Sequence, residues 1–275
     1  MAHFTVIGGQ GFIGSEICSQ LKLIGHSVTV PKKGYIISEE KNLGIVIYCA
    51  GHGDCAANPF KVLESNVSTL ANLLENGNFK RLVYISSTRL YMEQQDSCES
   101  ANLTLQTSDK RRLFNLTKLV AEELCLLSEK DTVIVRPSNV YGMALSSPLY
   151  LPAITRNAIN NGRVDMFVTK EYAKDYVSVT DVASAICKLS LLQDLKHDIY
   201  NIASGTNVTA LQIADLINKY TDCEIIWHSV DNEEHFPTTD ITQVVNEIDF
   251  TPSSVLNDLP MMISEFKKIL LPGEN

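Results

Sequence analysis

Apolar and polar positions along the chain fall into two alternating rhythms. Residues 3–8 (His-Phe-Thr-Val-Ile-Gly) read as a buried strand, and the apolar residues of 13–24 recur at helical spacing. Val28-Thr29-Val30, Ile45-Val46-Ile47-Tyr48, Leu82-Val83-Tyr84-Ile85 and Thr132-Val133-Ile134-Val135 predict further strands. Between them, Pro59 opens a predicted helix that ends near Glu75, and residues 111–128 read as a long helix. Strands alternating with helices imply right-handed crossovers and a mainly parallel sheet. After residue 145 the rhythm is less regular. Two βα-like pieces, 175–192 and 199–220, precede a tail from 229 that reads as loop-rich.

The chain has 275 residues, enough for one large domain or two small ones with a sizeable core. Its net charge of −9 argues against a general nucleic-acid surface, which needs a basic patch. The seven cysteines are odd in number and no pair has CxxC spacing, which fits a reducing, cytoplasmic setting better than a disulfide framework. No apolar run reaches the ~20 residues of a membrane span, and the first residues read as a strand, not a signal peptide.

Val6-Ile7-Gly8-Gly9-Gln10-Gly11-Phe12-Ile13-Gly14 joins the first strand to the first helix. Gly8 permits the tight turn, Gly11 lets backbone approach a phosphate, and Gly14 lets helix and strand pack closely. The helix start at Phe12 and Ile13 then offers free N–H groups and a partial positive charge to the pyrophosphate of a dinucleotide. An acidic residue after the second strand would take the ribose 2′-OH of NAD. Pro31-Lys32-Lys33 stands there instead. Lys32 and Lys33 suit a 2′-phosphate, so NADP is favoured over NAD.

The expected fold class is therefore α/β, a Rossmann-type doubly wound parallel sheet with a smaller C-terminal α/β substrate lobe. Residues 1–145 are expected to form the dinucleotide-binding domain, with returning segments near 175–203. The smaller lobe takes 146–174 and 204–275.

The glycine segment resembles the signature of extended short-chain dehydrogenases/reductases, the NAD-dependent epimerase/dehydratase group. Six further segments resemble that group in order: Tyr48-Cys49-Ala50-Gly51, Leu63-Glu64-Ser65-Asn66-Val67, Tyr84-Ile85-Ser86-Ser87-Thr88-Arg89-Leu90-Tyr91, Phe114-Asn115-Leu116-Thr117-Lys118, Val135-Arg136-Pro137-Ser138-Asn139-Val140-Tyr141-Gly142, and Lys174-Asp175-Tyr176-Val177-Ser178-Val179-Thr180-Asp181-Val182. The resemblance implies that Ala50, Gly51 and Pro137 line the cofactor. It implies that Asn66 is structural, and that Lys118 binds the nicotinamide ribose. Ser87 and Thr88 would face the substrate oxygen.

In that group a tyrosine hydroxyl passes a proton to or from the sugar while hydride moves to or from the nicotinamide. Its ordinary pKa of ~10 is lowered by a lysine four residues on. Ser87 and Lys118 are in place, but position 114 is Phe, which has no proton to give. Three readings stand: an engineered Tyr→Phe change that traps substrate, natural loss of catalysis, or relocation of the proton transfer to a hydroxyl such as Thr88 or Tyr91.

Members of the group mostly act on sugars carried by a nucleoside diphosphate. Asn139 matches a position that bonds the phosphate region; as a bland alternative it caps its own loop. Lys174 stands where the group has a diphosphate-gripping arginine, and lacks that residue's bidentate fork. The second arginine usual near 229–240 is missing. Thr88-Arg89 replace the Asp-Glu of 4,6-dehydratases, so dehydration is disfavoured and 4-keto-sugar reduction is preferred. A nucleotide-sugar 4-epimerase and an inactive dinucleotide-binding regulator are the alternatives. His52, Asp54 and Cys55 are too few for a closed metal site, so no metal is expected. Met143 and Tyr141 read as pocket-mouth or packing residues. The apolar residues of 116–127 are either core or the surface of a homodimer.

Overall fold

The computed structural model describes residues 1–32, 34, 42–147, 149–230 and 233–271. Lys33 and the segment Glu39-Glu40-Lys41 lie outside the described residues. Six parallel strands form the central sheet: β1 (His3–Ile7), β2 (Ser27–Thr29), β3 (Ile45–Tyr48), β4 (Arg81–Ile85), β5 (Thr132–Pro137) and β9 (Ile199–Ile202). They lie in the order β2-β1-β3-β4-β5-β9. The fold is a Rossmann-like, doubly wound α/β sheet.

Alternation along each strand explains the two layers. Ile47, Val83, Ile85, Val133 and Val135 point to one face, where they pack with Ile17 and Leu21 of helix α1 (Phe12–Leu23) and Ile186 of helix α6 (Val179–Leu191). Val46, Tyr48, Leu82, Tyr84 and Ile134 point to the other face. There they meet Leu70 and Leu73 of helix α3 (Thr69–Asn76) and Ala121 and Cys125 of helix α4 (Arg112–Leu127). A residue shift of one would turn every such side chain to the wrong layer.

The helix expected from Pro59 to Glu75 is interrupted. Helix α2 (Pro59–Leu63) passes through a π-turn at Glu64–Ser68 before α3 begins. The wider turn brings Asn66 fully inside, where its amide is satisfied by the chain around it.

A second cluster is built around helices α5 (Tyr150–Asn161), α7 (Ala210–Thr221) and α9 (Val255–Leu270). Strand β8 (Ala173–Ser178) pairs in parallel with β6 (Asn139–Tyr141) and antiparallel with β10 (Asn207–Thr209). Strands β7 (Arg163–Met166) and β11 (Glu224–Trp227) form a separate parallel pair.

Two expectations are corrected here. The tail from 229 carries helix α8 (Thr242–Ile248) and the long α9. Val255, Leu259, Met262, Ile263 and Phe266 form one buried face at helical spacing, despite Pro260 within the helix. Second, α8 does not join the smaller cluster: Val244 and Phe250 pack beneath the large sheet. All seven cysteines are unpaired. Among the described residues, no helix is long and apolar enough to cross a membrane.

Candidate active site

β2 lies on one side of β1 and β3 on the other, so the chain segments that leave the carboxyl ends of β1 and β3 part in opposite directions and leave a crevice between them. The glycine turn closes its floor. Gly8 has φ +83°, and a Cβ there would stand 2.7 Å from the Ala50 amide nitrogen. A Cβ on Gly14 would meet the Gly8 carbonyl at 2.4 Å. Both positions therefore admit only glycine. Gly8 and Ala50 act from beneath, by letting β1 and β3 approach each other.

Helix α1 has Gly11 at its N-cap and no side-chain cap. The Phe12, Ile13 and Gly14 amides are thus left to the cleft that these residues line. This uncapped row of main-chain amides fits the pyrophosphate of NAD or NADP. When bound, the dinucleotide would supply or accept hydride at its nicotinamide. Lys32, past the end of β2, is exposed and lies off the cleft lining.

The cleft has a volume of about 480 Å³. It gathers Gly51, Ser87, Thr88, Phe114, Lys118, Pro137, Asn139 and Lys174 from β-strand ends, helix α4 and β8. The loop after β3 is pinned by Asn66, whose Oδ1 accepts from the His52 amide at 3.0 Å. The Asn66 side-chain amide donates to Thr117 Oγ1 at 2.9 Å, next to Lys118 on α4. Ser87 caps a 3-10 turn at Thr88–Tyr91 and accepts from the Arg89 amide at 3.1 Å.

Lys118 is buried, and its Nζ donates to the Ile85 carbonyl at 2.7 Å. The ammonium lies 4.8 Å from the Tyr84 ring centre and 5.7 Å from that of Phe114. Burial pulls its pKa down to about 8, although Glu122 and Cys49 act in the opposite sense. Glu122 is itself held by Arg136, through contacts of 3.0 and 2.6 Å. Arg136 also donates to Tyr91 Oη at 2.6 Å. Tyr91 Oη in turn donates to Asn201 Oδ1 at 2.9 Å. Tyr91 is 1% exposed and does not line the cleft, so relocation of the proton step to Tyr91 is excluded. Thr88 stays beside Ser87 in the lining.

At the other end, Asn139 spends a side-chain N–H on the Asp175 carbonyl at 2.8 Å, so the loop-capping role is real. Asp175 accepts from the Ser204 amide at 2.8 Å, Ser204 Oγ at 2.9 Å and the Thr206 amide at 3.1 Å, tying β8 to the loop after β9. Lys174 lies 3.7 Å from Glu234 and over the rings of Tyr172 and Phe236. Burial, with Arg89 and Arg111 adding to it, lowers its pKa to about 8 against the pull of Glu234.

Sequence reasoning found neither Arg89 nor Arg111 as site residues. Both line the cleft. Arg89 is buried; its two terminal nitrogens reach Glu234 at 3.1 and 2.6 Å, and one of them also reaches Asp109 at 2.9 Å. Arg111 lies 4.9 Å over the Phe114 ring. The sequence signal was slight: Arg111 sits within the charge run Asp109-Lys110-Arg111-Arg112, of which it alone lines the cleft. Among the described residues, no group of three or more His, Cys, Asp or Glu side chains could hold a metal ion.

The model of the NAD dependent epimerase/dehydratase family matches residues 4–203. GDP-mannose 3,5-epimerase 1 of Oryza sativa subsp. indica is 23% identical over 93% of this chain and 79% of that protein. MoeE5, solved in complex with UDP-glucuronic acid and NAD, superposes with a TM-score of 0.82 at 20% identity, over 98% of this chain and all of its own. RMD from Pseudomonas aeruginosa, complexed with NADPH, superposes with a TM-score of 0.76 at 19% identity, over 98% of this chain and 100% of that one. At such identities the structural likeness speaks to fold alone.

Proposed function

The chain belongs to the NAD dependent epimerase/dehydratase family, and from that premise we propose that its cleft binds NADPH, or NAD, beside a nucleotide-linked sugar and is built for reduction of a 4-keto group. The observation that carries this reading is the placement of Ser87, Phe114 and Lys118 around one cleft, whose far wall is the uncapped start of α1. Lys118 orients the nicotinamide ribose and holds positive charge beside position 114. Ser87 Oγ donates to the substrate oxygen.

What is missing is the proton. Phe114 keeps an aromatic ring over Lys118 but presents no hydroxyl, so the chain binds both ligands and turns over slowly. The test is Phe114→Tyr, assayed by loss of NADPH absorbance with a nucleoside-diphospho-4-keto-sugar. A rate gain supports the reductase. No gain, with dinucleotide still bound, supports a binding protein without turnover.

The 4-epimerase reading keeps support from a relative, UDP-glucose 4-epimerase of Lactobacillus helveticus, 23% identical over 80% of this chain and 82% of that protein. Dinucleotide released on denaturation separates the two: tightly held NAD supports the epimerase, exchangeable NADPH the reductase. We also place a second copy of the chain on the face of α2 and α4. There Phe60, Leu116, Val120 and Leu127 are exposed by 85%, 40%, 47% and 79%. Sedimentation equilibrium at micromolar concentration should show a dimer that Val120→Glu weakens.

A further inference from the structure

Resting on the nucleotide-sugar reading, we propose that Arg111 is a specificity residue for an acidic sugar, its guanidinium holding a carboxylate on the hexose. The mouth of the cleft carries three cations, Arg89, Arg111 and Lys174, and two carboxylates, Asp109 and Glu234. Both carboxylates are committed to Arg89, and Glu234 is shared with Lys174. Only the backbone of Arg111 reaches Asp109, by its amide at 2.8 Å. Its side chain has no hydrogen-bond or ion-pair partner among the described residues.

The position of that spare fork matters. Arg111, the N-cap of α4, stacks on the ring of Phe114, 4.9 Å from its centre, and Phe114 stands one turn before Lys118. Arg111 therefore stands beside position 114, in the same cleft that Lys174 and Phe236 line. Opposite it, Gly53 leaves room: a Cβ there would come within 3.3 Å of Arg111 Nη2. A planar guanidinium offers two parallel N–H groups matched to one carboxylate. A neutral hexose answers those donors only with hydroxyl oxygens, whose bonds are weaker than the charge-assisted pair a carboxylate makes. Arg111 is exposed at the cleft; partial desolvation and the neighbouring Arg89 lower its pKa against the pull of Glu234 and Asp109, and an added anion acts in the same sense as those carboxylates.

The test is calorimetry of the intact chain with NADPH present, titrating UDP, UDP-glucose and UDP-glucuronate into the unaltered protein and Arg111→Gln. UDP-glucuronate should bind about 10- to 100-fold more tightly than UDP-glucose, the range of a hydrogen bond to a charged group. Arg111→Gln should erase that difference and leave UDP unchanged. Equal binding of the two sugars overturns the proposal and leaves the nucleotide-sugar reading intact. So does a variant that loses UDP affinity, since Arg111 would then serve the diphosphate. No binding of any of the three overturns the nucleotide-sugar reading and this one with it.

Discussion

The two ends of the cleft are built from different materials. At the dinucleotide end the working groups are main-chain amides, shaped by glycines within seven residues of one another, Gly8 to Gly14. At the substrate end they are side chains from four separate stretches: Arg89, Asp109 and Arg111, Lys174, and Glu234. A backbone cradle is tolerant of its surroundings, because it needs only a strand, a turn and a helix in sequence. A side-chain cluster needs the whole fold, because Arg89 and Glu234 lie 145 positions apart. The difference predicts that changes at the first end act on dinucleotide binding alone, and that changes at the second propagate.

The largest effect is expected between the two, at Phe114. Phe114→Tyr should raise kcat by about 10²- to 10⁴-fold, the usual contribution of one positioned acid, in the NADPH assay above. Next comes the backbone end. Gly11→Ala adds a methyl 3.3 Å from the Gly8 carbonyl, on the cleft side of the turn. The fold should survive while the dinucleotide dissociation constant rises at least about tenfold, a penalty of ~1.4 kcal/mol that calorimetry reads directly. Unchanged affinity would break the comparison, since the cradle would then not be the site.

Glu234→Gln tests the other end. It leaves the Arg89 guanidinium, buried at 8% exposure, with Asp109 as its remaining carboxylate. Because Glu234 is itself partly exposed, the loss in stability should be about 1–2 kcal/mol, below that of a fully buried pair. Urea denaturation measures it, and dinucleotide affinity should stay constant.

A smaller effect is expected from pH. Lys174 titrates at about 8, so its charge is present at pH 7 and is lost as pH rises through 8. Affinity for UDP should therefore fall several-fold between pH 7 and 9, and Lys174→Met should flatten that slope; Coulomb attraction at a half-open site is of this order. The smallest is at Lys32, exposed beyond β2. Lys32→Ala should lower the preference for NADPH over NADH by about threefold, as expected for one screened surface charge. An unchanged ratio would remove Lys32 from the 2′-phosphate reading.

Legibility of the chain divides along the same line. The strand and helix rhythm from β1 to β5 could be read directly, because alternation fixes which residues face each layer. The π-turn at Glu64–Ser68 could not, since its apolar pattern continues that of an ordinary helix. Helix α9 was legible in principle from Val255, Leu259, Met262 and Phe266, but Pro260 disguised it. Lys174 and Asn139 were found through neighbouring motif residues, yet their partners Glu234 and the Asp175 carbonyl were not.

By itself, then, the sequence determined the parallel sheet, the glycine turn, the presence of Ser87 and Lys118, and the absence of a hydroxyl at 114. Each of these is a property of local spacing or of one side chain's chemistry. Only the tertiary structure decided that Tyr91 is locked against Arg136 and Asn201, that Arg89 consumes two carboxylates, and that Arg111 is left without one. Those outcomes depend on which charges meet across long separations, and pairing of that kind is written in the folded distances and not in the order of residues.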